Sequence, residues 1–223
     1  MQILTILTTL LASVSALPNR YPAPTPSDII AIRQSTGTEI TAANIIFIDP
    51  ATATCDDAPA PDECRMAAQA APYVAISFVN FGITTFGEQA ALVALMLYES
   101  GDFKYAQNHF PGVPGQGTRN MQSPAYNLQY ANYLATVCTN CGITSAQVQQ
   151  ASDPTALLAL VNTDQWSFGS AAWYLATQCG NGVREGLAAG TQEGWQAYLQ
   201  CVGTAPDDKR NALRSAAMAL GQW

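Results

Sequence analysis

Charge is scarce in this sequence. Lys, Arg, Asp and Glu make up 11% of its 223 residues, against about 25% in an ordinary soluble protein. Ala, Thr, Gln, Asn, Ser and Gly must cover the surface instead. The basic sign is the scarcer one: 9 Lys and Arg face 16 Asp and Glu, for a formal net charge of −7. A nucleic-acid partner, which demands basic patches, is thereby excluded. Histidine is scarcer still, with His109 alone. One histidine rules out an H-E-x-x-H zinc site and any site built on two histidines. A Ser-His or Cys-His pair would have to use it. The sequence has no G-x-S-x-G, no P-loop and no G-x-G-x-x-G. It has no Asn-x-Ser/Thr sequon, no internal repeat and no convincing period-two alternation. No cofactor or metal is expected. For an enzyme, what remains is chemistry done by carboxylates.

Residues 1–16, MQILTILTTLLASVSA, form an apolar stretch that ends in small residues. Val14-Ser15-Ala16 matches a signal-peptidase site. The run is too short for a comfortable membrane span, and no later stretch reaches about 18 apolar residues. Residues 17–24 read as an extended, Pro-rich lead-in, and 25–223 as one domain. A secreted, monomeric protein without a membrane partner is expected. Six cysteines agree with export, where an even count reads as disulfides. Sequence does not choose among the connectivities; local pairing suggests Cys55–Cys64, Cys138–Cys141 and Cys179–Cys201. Cys138-x-x-Cys141 as a redox motif would need a βαβ context, and none is visible.

Helical signals dominate, so the fold is expected to be mainly α. Thr85-Phe86-Gly87-Glu88 has the form of a capping box, which makes Glu88 a cap. The ten residues after it are apolar on every face, the mark of a buried central helix. That helix runs into Glu99-Ser100-Gly101-Asp102. The Pro/Gly-rich Phe110–Asn120 stretch then makes a long loop. Ser123-Pro124 opens another helix, with Tyr126, Tyr130, Tyr133, Leu134 and Val137 as a stripe. Further helices are expected at 27–33, 42–47, 64–81, 145–151, 154–161, 170–179, 192–199 and 206–220.

A glutamate at the end of a buried helix is costly unless it is paired or used. Two readings stand. Glu99 is a proton donor whose pKa is raised by apolar and aromatic walls, as glycoside hydrolysis needs. Or it is a structural carboxylate paired with Lys104, Arg119 or Arg184.

The order of motifs adds to this. Glu99-Ser100 closes one helix; Met121-Gln122 follows; then SPAYNLQYANYLA supplies Asn127, Tyr130 and Tyr133-Leu134 at helical spacing. This series resembles the lysozyme-like superfamily, particularly goose-type lysozymes and bacterial lytic transglycosylases. Those carry a Glu-Ser, a Gly-Leu-Met-Gln turn, then a helix with Asn-Ile and Tyr-Leu. The overlap spans Leu95 to Ala135. The whole chain is also similar to secreted fungal muramidases, through WQAYLQCVGT and the cysteine layout. The resemblance implies a lysozyme-like domain with Glu99 as general acid at the end of the central helix. It implies that Ser100 hydrogen-bonds near Glu99 and that Met121, Gln122, Asn127 and Tyr130 face the sugar cleft. Two departures are plain: the turn reads Arg119-Asn120-Met121-Gln122, and the loop before it is long.

Asp102 and Asp164 are the candidates for a second carboxylate. A distant one would support inversion, and none would suit an intramolecular, anhydro-forming cleavage. Tyr105 and His109, on the loop beside Glu99, are further substrate contacts. Trp166, Phe168, Trp173 and Tyr174 read as core. The expected activity is cleavage of the N-acetylmuramic acid to N-acetylglucosamine bond of peptidoglycan. The alternatives are a chitin or chitosan hydrolase, a lytic transglycosylase, and a non-catalytic carbohydrate-binding or effector protein on the same scaffold.

Overall fold

The computed structural model describes residues 39–137 and 141–223. The expected signal peptide, lead-in and first helix (27–33) lie outside the described residues, as does Cys138. The described part is mainly helical, and its only β pairing is isolated bridges. In chain order the helices are α1 (Ala42–Ile48), a 3-10 turn (Pro50–Ala53), α2 (Ala67–Asn80) and α3 (Phe86–Glu99). Next come α4 (Pro124–Val137), α5 (Ser145–Gln150), α6 (Pro154–Val161) and α7 (Asp164–Gln178). The last three are α8 (Asn181–Ala188), α9 (Gln192–Cys201) and α10 (Asp208–Ala219). None of them is long and apolar enough to cross a membrane.

Helix α3 is the axis of the larger core. Thr85 and Glu88 form the capping box at its start: the Glu88 N–H donates to Thr85 Oγ1 and the Thr85 hydroxyl donates to Glu88 Oε2 at 2.8 Å. Arg184 from α8 donates to Glu88 Oε1 at 2.7 Å. Each residue from Ala90 to Leu97 is at most 1% exposed. Burial of its large side chains contributes about 1.5–3 kcal/mol apiece. Helices α8 and α10 pack along α3, α7 packs on α2, and α4 packs on α6. A second apolar cluster joins α4, α5, α6 and one face of α7. Helix α7 serves both, with Phe168 and Leu175 in the first cluster and Trp166 and Trp173 in the second.

Two elements depart from the sequence reading, both at glycines. Helix α7 starts at Asp164 rather than Ser170, and Gly169 does not break it. A Cβ there would sit 2.8 Å from the Tyr130 hydroxyl, so glycine lets α4 come close. Helix α8 was not anticipated. Its Gly186 faces Gly194 of α9, where a Cβ would lie 2.7 Å from the opposing Cα. Glycine lowers helix propensity, and close packing between helices overrides it.

Candidate active site

Helix α3 stops at Glu99 because the chain turns left-handed. Gly101, Asp102 and Phe103 have φ of 55°, 62° and 63°. Ser100, fully buried, closes the helix: its hydroxyl donates to the Met96 carbonyl at 2.6 Å and accepts from the Phe103 N–H at 3.1 Å. The turn leaves the Glu99 side chain partly open, with 23% exposure. Leu95 supplies an apolar wall one turn back. The other side is not apolar. Arg210, in the first turn of α10, donates from Nη2 to Glu99 Oε1 at 2.9 Å. The same guanidinium reaches Asp207 and the Ala205 carbonyl. It also lies over the Tyr98 ring, 3.7 Å from its centroid. Burial works against the Arg210 cation, but the bond and charge of Glu99, with Tyr98 and Asp207, outweigh it and hold its pKa above the ordinary value. Glu99 is therefore ion-paired, with a partner other than Lys104, Arg119 or Arg184.

Opposite α3 stands the loop that runs to Met121-Gln122. It is shaped by two further left-handed residues, Thr118 (φ 64°) and Met121 (φ 44°). For a β-branched residue this is a true outlier, and such strain concentrates at functional sites. Arg119 anchors the loop from within. It is 1% exposed, and its guanidinium donates to the carbonyls of Phe103, Tyr105 and Glu63 at 2.6–2.9 Å. Desolvation pulls its pKa down to about 10. Isolated bridges from Gly117 to Gln107 and Gln122 complete the loop.

Between these walls lies a cavity of about 260 Å³. Glu99, Met121 and Gln122 line it together. So do Asn120, Arg210, Tyr126, Tyr174 and the 202–204 segment. The Cys179–Cys201 disulfide and a bond from the Tyr174 hydroxyl to the Cys201 carbonyl (3.3 Å) hold that segment. On residues of this lining, Asn120 Oδ1, Gln122 Oε1 and Arg210 Nε are themselves buried from the cavity and have no partner among the described residues. Asn120 and Gln122 are 8% and 5% exposed.

The other sequence-predicted residues fall elsewhere. Asn127 stands behind the lining, where its Oδ1 accepts from Gln122 Nε2 at 2.8 Å and fixes that amide. Tyr130 is fully buried, donates to the Trp166 carbonyl at 3.1 Å and does not line the cavity. Tyr126, one turn earlier on α4, lines it instead. Tyr105 and His109 pack on each other, 5.3 Å apart, and His109 Nε2 bonds Glu63 at 2.9 Å. Glu63 also accepts from the Ala106 N–H at 2.7 Å and from Gln107. Burial raises the Glu63 pKa, but these bonds and His109 outweigh it and bring it below the usual range. Asp164 is held by Arg65 at 2.7 Å. Asp102 does not line the cavity; Lys209 Nζ donates to its Oδ1 at 3.0 Å. Burial, then the neighbouring Asp102 carboxyl, raises the Asp49 pKa. Cys55–Cys64 and Cys179–Cys201 are disulfides, and Cys141 is also disulfide-bonded.

No family model and no solved structure matches the chain. It is similar to a bifunctional dioxygenase (DOX)-epoxy alcohol synthase (EAS) of Fusarium oxysporum (strain Fo5176), 40% identical over 169 residues. Those residues are 75% of this chain but 13% of that relative. The chain thus spans a small fraction of the protein it matches.

Proposed function

We propose that the protein is a secreted lysozyme-type glycosidase that cleaves an amino-sugar polymer, with Glu99 as the proton-transferring group. Bacterial peptidoglycan is the first substrate to test, cut between N-acetylmuramic acid and N-acetylglucosamine. The observation that carries this reading is the convergence of Glu99, Met121 and Gln122 on one cavity. The disulfides suit an oxidising compartment.

Proton donation to a glycosidic oxygen requires Glu99 to leave Arg210 and to take up a proton from solvent first. The geometry makes this a small change, because Arg210 keeps Asp207 and the Ala205 carbonyl when it releases Glu99. Neither Asp102 nor Asp164 lines the cavity, and Glu99 is the one carboxylate among the described residues that do. A single carboxylate favours intramolecular closure of the sugar, or attack by water positioned by polar side chains, over a nucleophilic carboxylate close by. The relative is a two-activity enzyme by name, which supports an enzymatic role in general. Its named activities belong to a protein of which this chain matches 13%.

Turbidity clearing of bacterial walls by wild type and Glu99→Gln tests the reading. Clearing by wild type with loss in the variant supports it; equal lysis by both sinks it.

A further inference from the structure

Arg210 is one cation set between two carboxylates, Glu99 and Asp207. Its side chain is 14% exposed, and its place does not depend on Glu99. Asp207 is the N-cap of α10 and accepts from the Arg210 backbone N–H at 2.9 Å. Its carboxylate also accepts from the Arg210 guanidinium, which lies over the Tyr98 ring. Few other charges bear on Glu99. Among the described residues that line the cavity, Glu99 and Arg210 alone are charged. Asp102, past the turn, is matched by Lys209. The remaining titratable groups are phenols: Tyr98 against Arg210, Tyr126 and Tyr174 on the cavity wall, and Tyr198 of α9. Burial and then the Glu99 charge push the Tyr198 hydroxyl up. Phenols carry no charge at the acidic pH where carboxyls titrate.

We infer that Arg210 is a positioning residue that sets the upper pH limit of catalysis by holding Glu99 as a carboxylate at the cavity edge, and that Asp207 weakens this hold. The inference rests on the glycosidase reading. A cation within about 4–6 Å of a carboxyl favours its ionised form, and Nη2 of Arg210 stands 2.9 Å from Glu99 Oε1. The ionised form has no proton to donate, so a firmer hold on Glu99 confines cleavage to lower pH. Asp207 acts the other way twice. It takes a share of the guanidinium, and its own negative charge opposes ionisation of a carboxyl nearby.

The test is the pH–rate profile of peptidoglycan cleavage by the full chain as wild type, Arg210→Gln, Arg210→Lys and Asp207→Asn. Carbon NMR titration of the Glu99 carboxyl in each is read beside it. Glutamine removes the cation, so the alkaline limb of the profile and the NMR midpoint are both expected about one pH unit higher. Lysine keeps the charge and should return both toward their wild-type positions. Asparagine caps a helix about as well as aspartate, so Asp207→Asn serves should the Arg210 variants fail to fold; both readouts are expected to move down. An unmoved limb and midpoint in folded Arg210→Gln overturn the inference, as does an upward move in Asp207→Asn. A rate lost equally at every pH, with the limb in place, marks a merely structural arginine and overturns it too. The two readings fail separately. Midpoints that move as stated, without cleavage of any glycan, remove the glycosidase and leave the hold of Arg210 on Glu99. Glu99-dependent cleavage with an unmoved limb removes the role of Arg210 and keeps the glycosidase.

Discussion

At the scale of single residues, two arginines do different work. Arg119 is a structural cation, buried among carbonyls and above the Phe168 ring. Replacing it with Met strips the carbonyls of Phe103, Tyr105 and Glu63 of their donor. Chemical denaturation should show a loss of about 3 kcal/mol; a loss under about 1 kcal/mol would deny it this role. Arg210 instead holds Glu99 at the cavity edge. Nothing in the sequence marked it, because it lies 111 positions from Glu99, and Asp207–Arg210 reads as an ordinary helix start. Asn120 is likewise unmarked, being with Arg119 one of the two residues by which the turn departs from the Gly-Leu-Met-Gln pattern. Met121 and Gln122 were legible because the motif places them. Asp49 has a folded-state pKa above its ordinary value, from burial and then from Asp102. Its contribution is therefore present at low pH and lost as pH rises through the folded-state value. Asp49→Asn should stabilise the protein at pH 7 by about 0.5 kcal/mol and leave it unchanged near about pH 3. Thermal melts at the two pH values check this, and the opposite trend would contradict a raised Asp49 pKa.

At the scale of elements, helix α3 was the most legible feature, since its capping box and unbroken apolar run need no tertiary information. Its environment at the far end was not. The apolar run suggested apolar walls around Glu99, yet periodicity describes the helix's own residues and not the element packed against its last turn. That element is α10, which brings a guanidinium. The tyrosine stripe on α4 has the same limit: Tyr126 and Tyr130 share a face, but only the outer one reaches the cavity. Close approaches between helices set the remaining geometry. At Gly87, in the first turn of α3, a Cβ would stand 2.0 Å from the Leu187 carbonyl oxygen. Gly87→Ala must push α8 away, with an expected loss of about 2 kcal/mol or more. The Arg184–Glu88 bond, which spans the same pair of helices, would loosen with it. A denaturation midpoint equal to wild type would show that the two helices separate freely.

At the scale of the whole molecule, the two apolar clusters meet along α7 and leave the cavity between their walls. One wall is the end of α3 with α10; the other is the loop through Met121-Gln122 with Tyr126 and Tyr174. Mainly helical character was readable from composition and spacing. The meeting of the walls was not, because it depends on contacts between segments far apart in the chain. The most direct measurement is mass spectrometry of peptidoglycan and of chitosan oligomers digested by wild type and by Glu99→Gln at matched concentration. The expected result is new glycan fragments from wild type, carrying one added water or an anhydro end, with the rate reduced at least about a hundredfold in the variant. Glycans left intact by the wild type, or cut equally well by Glu99→Gln, would contradict the assignment of Glu99.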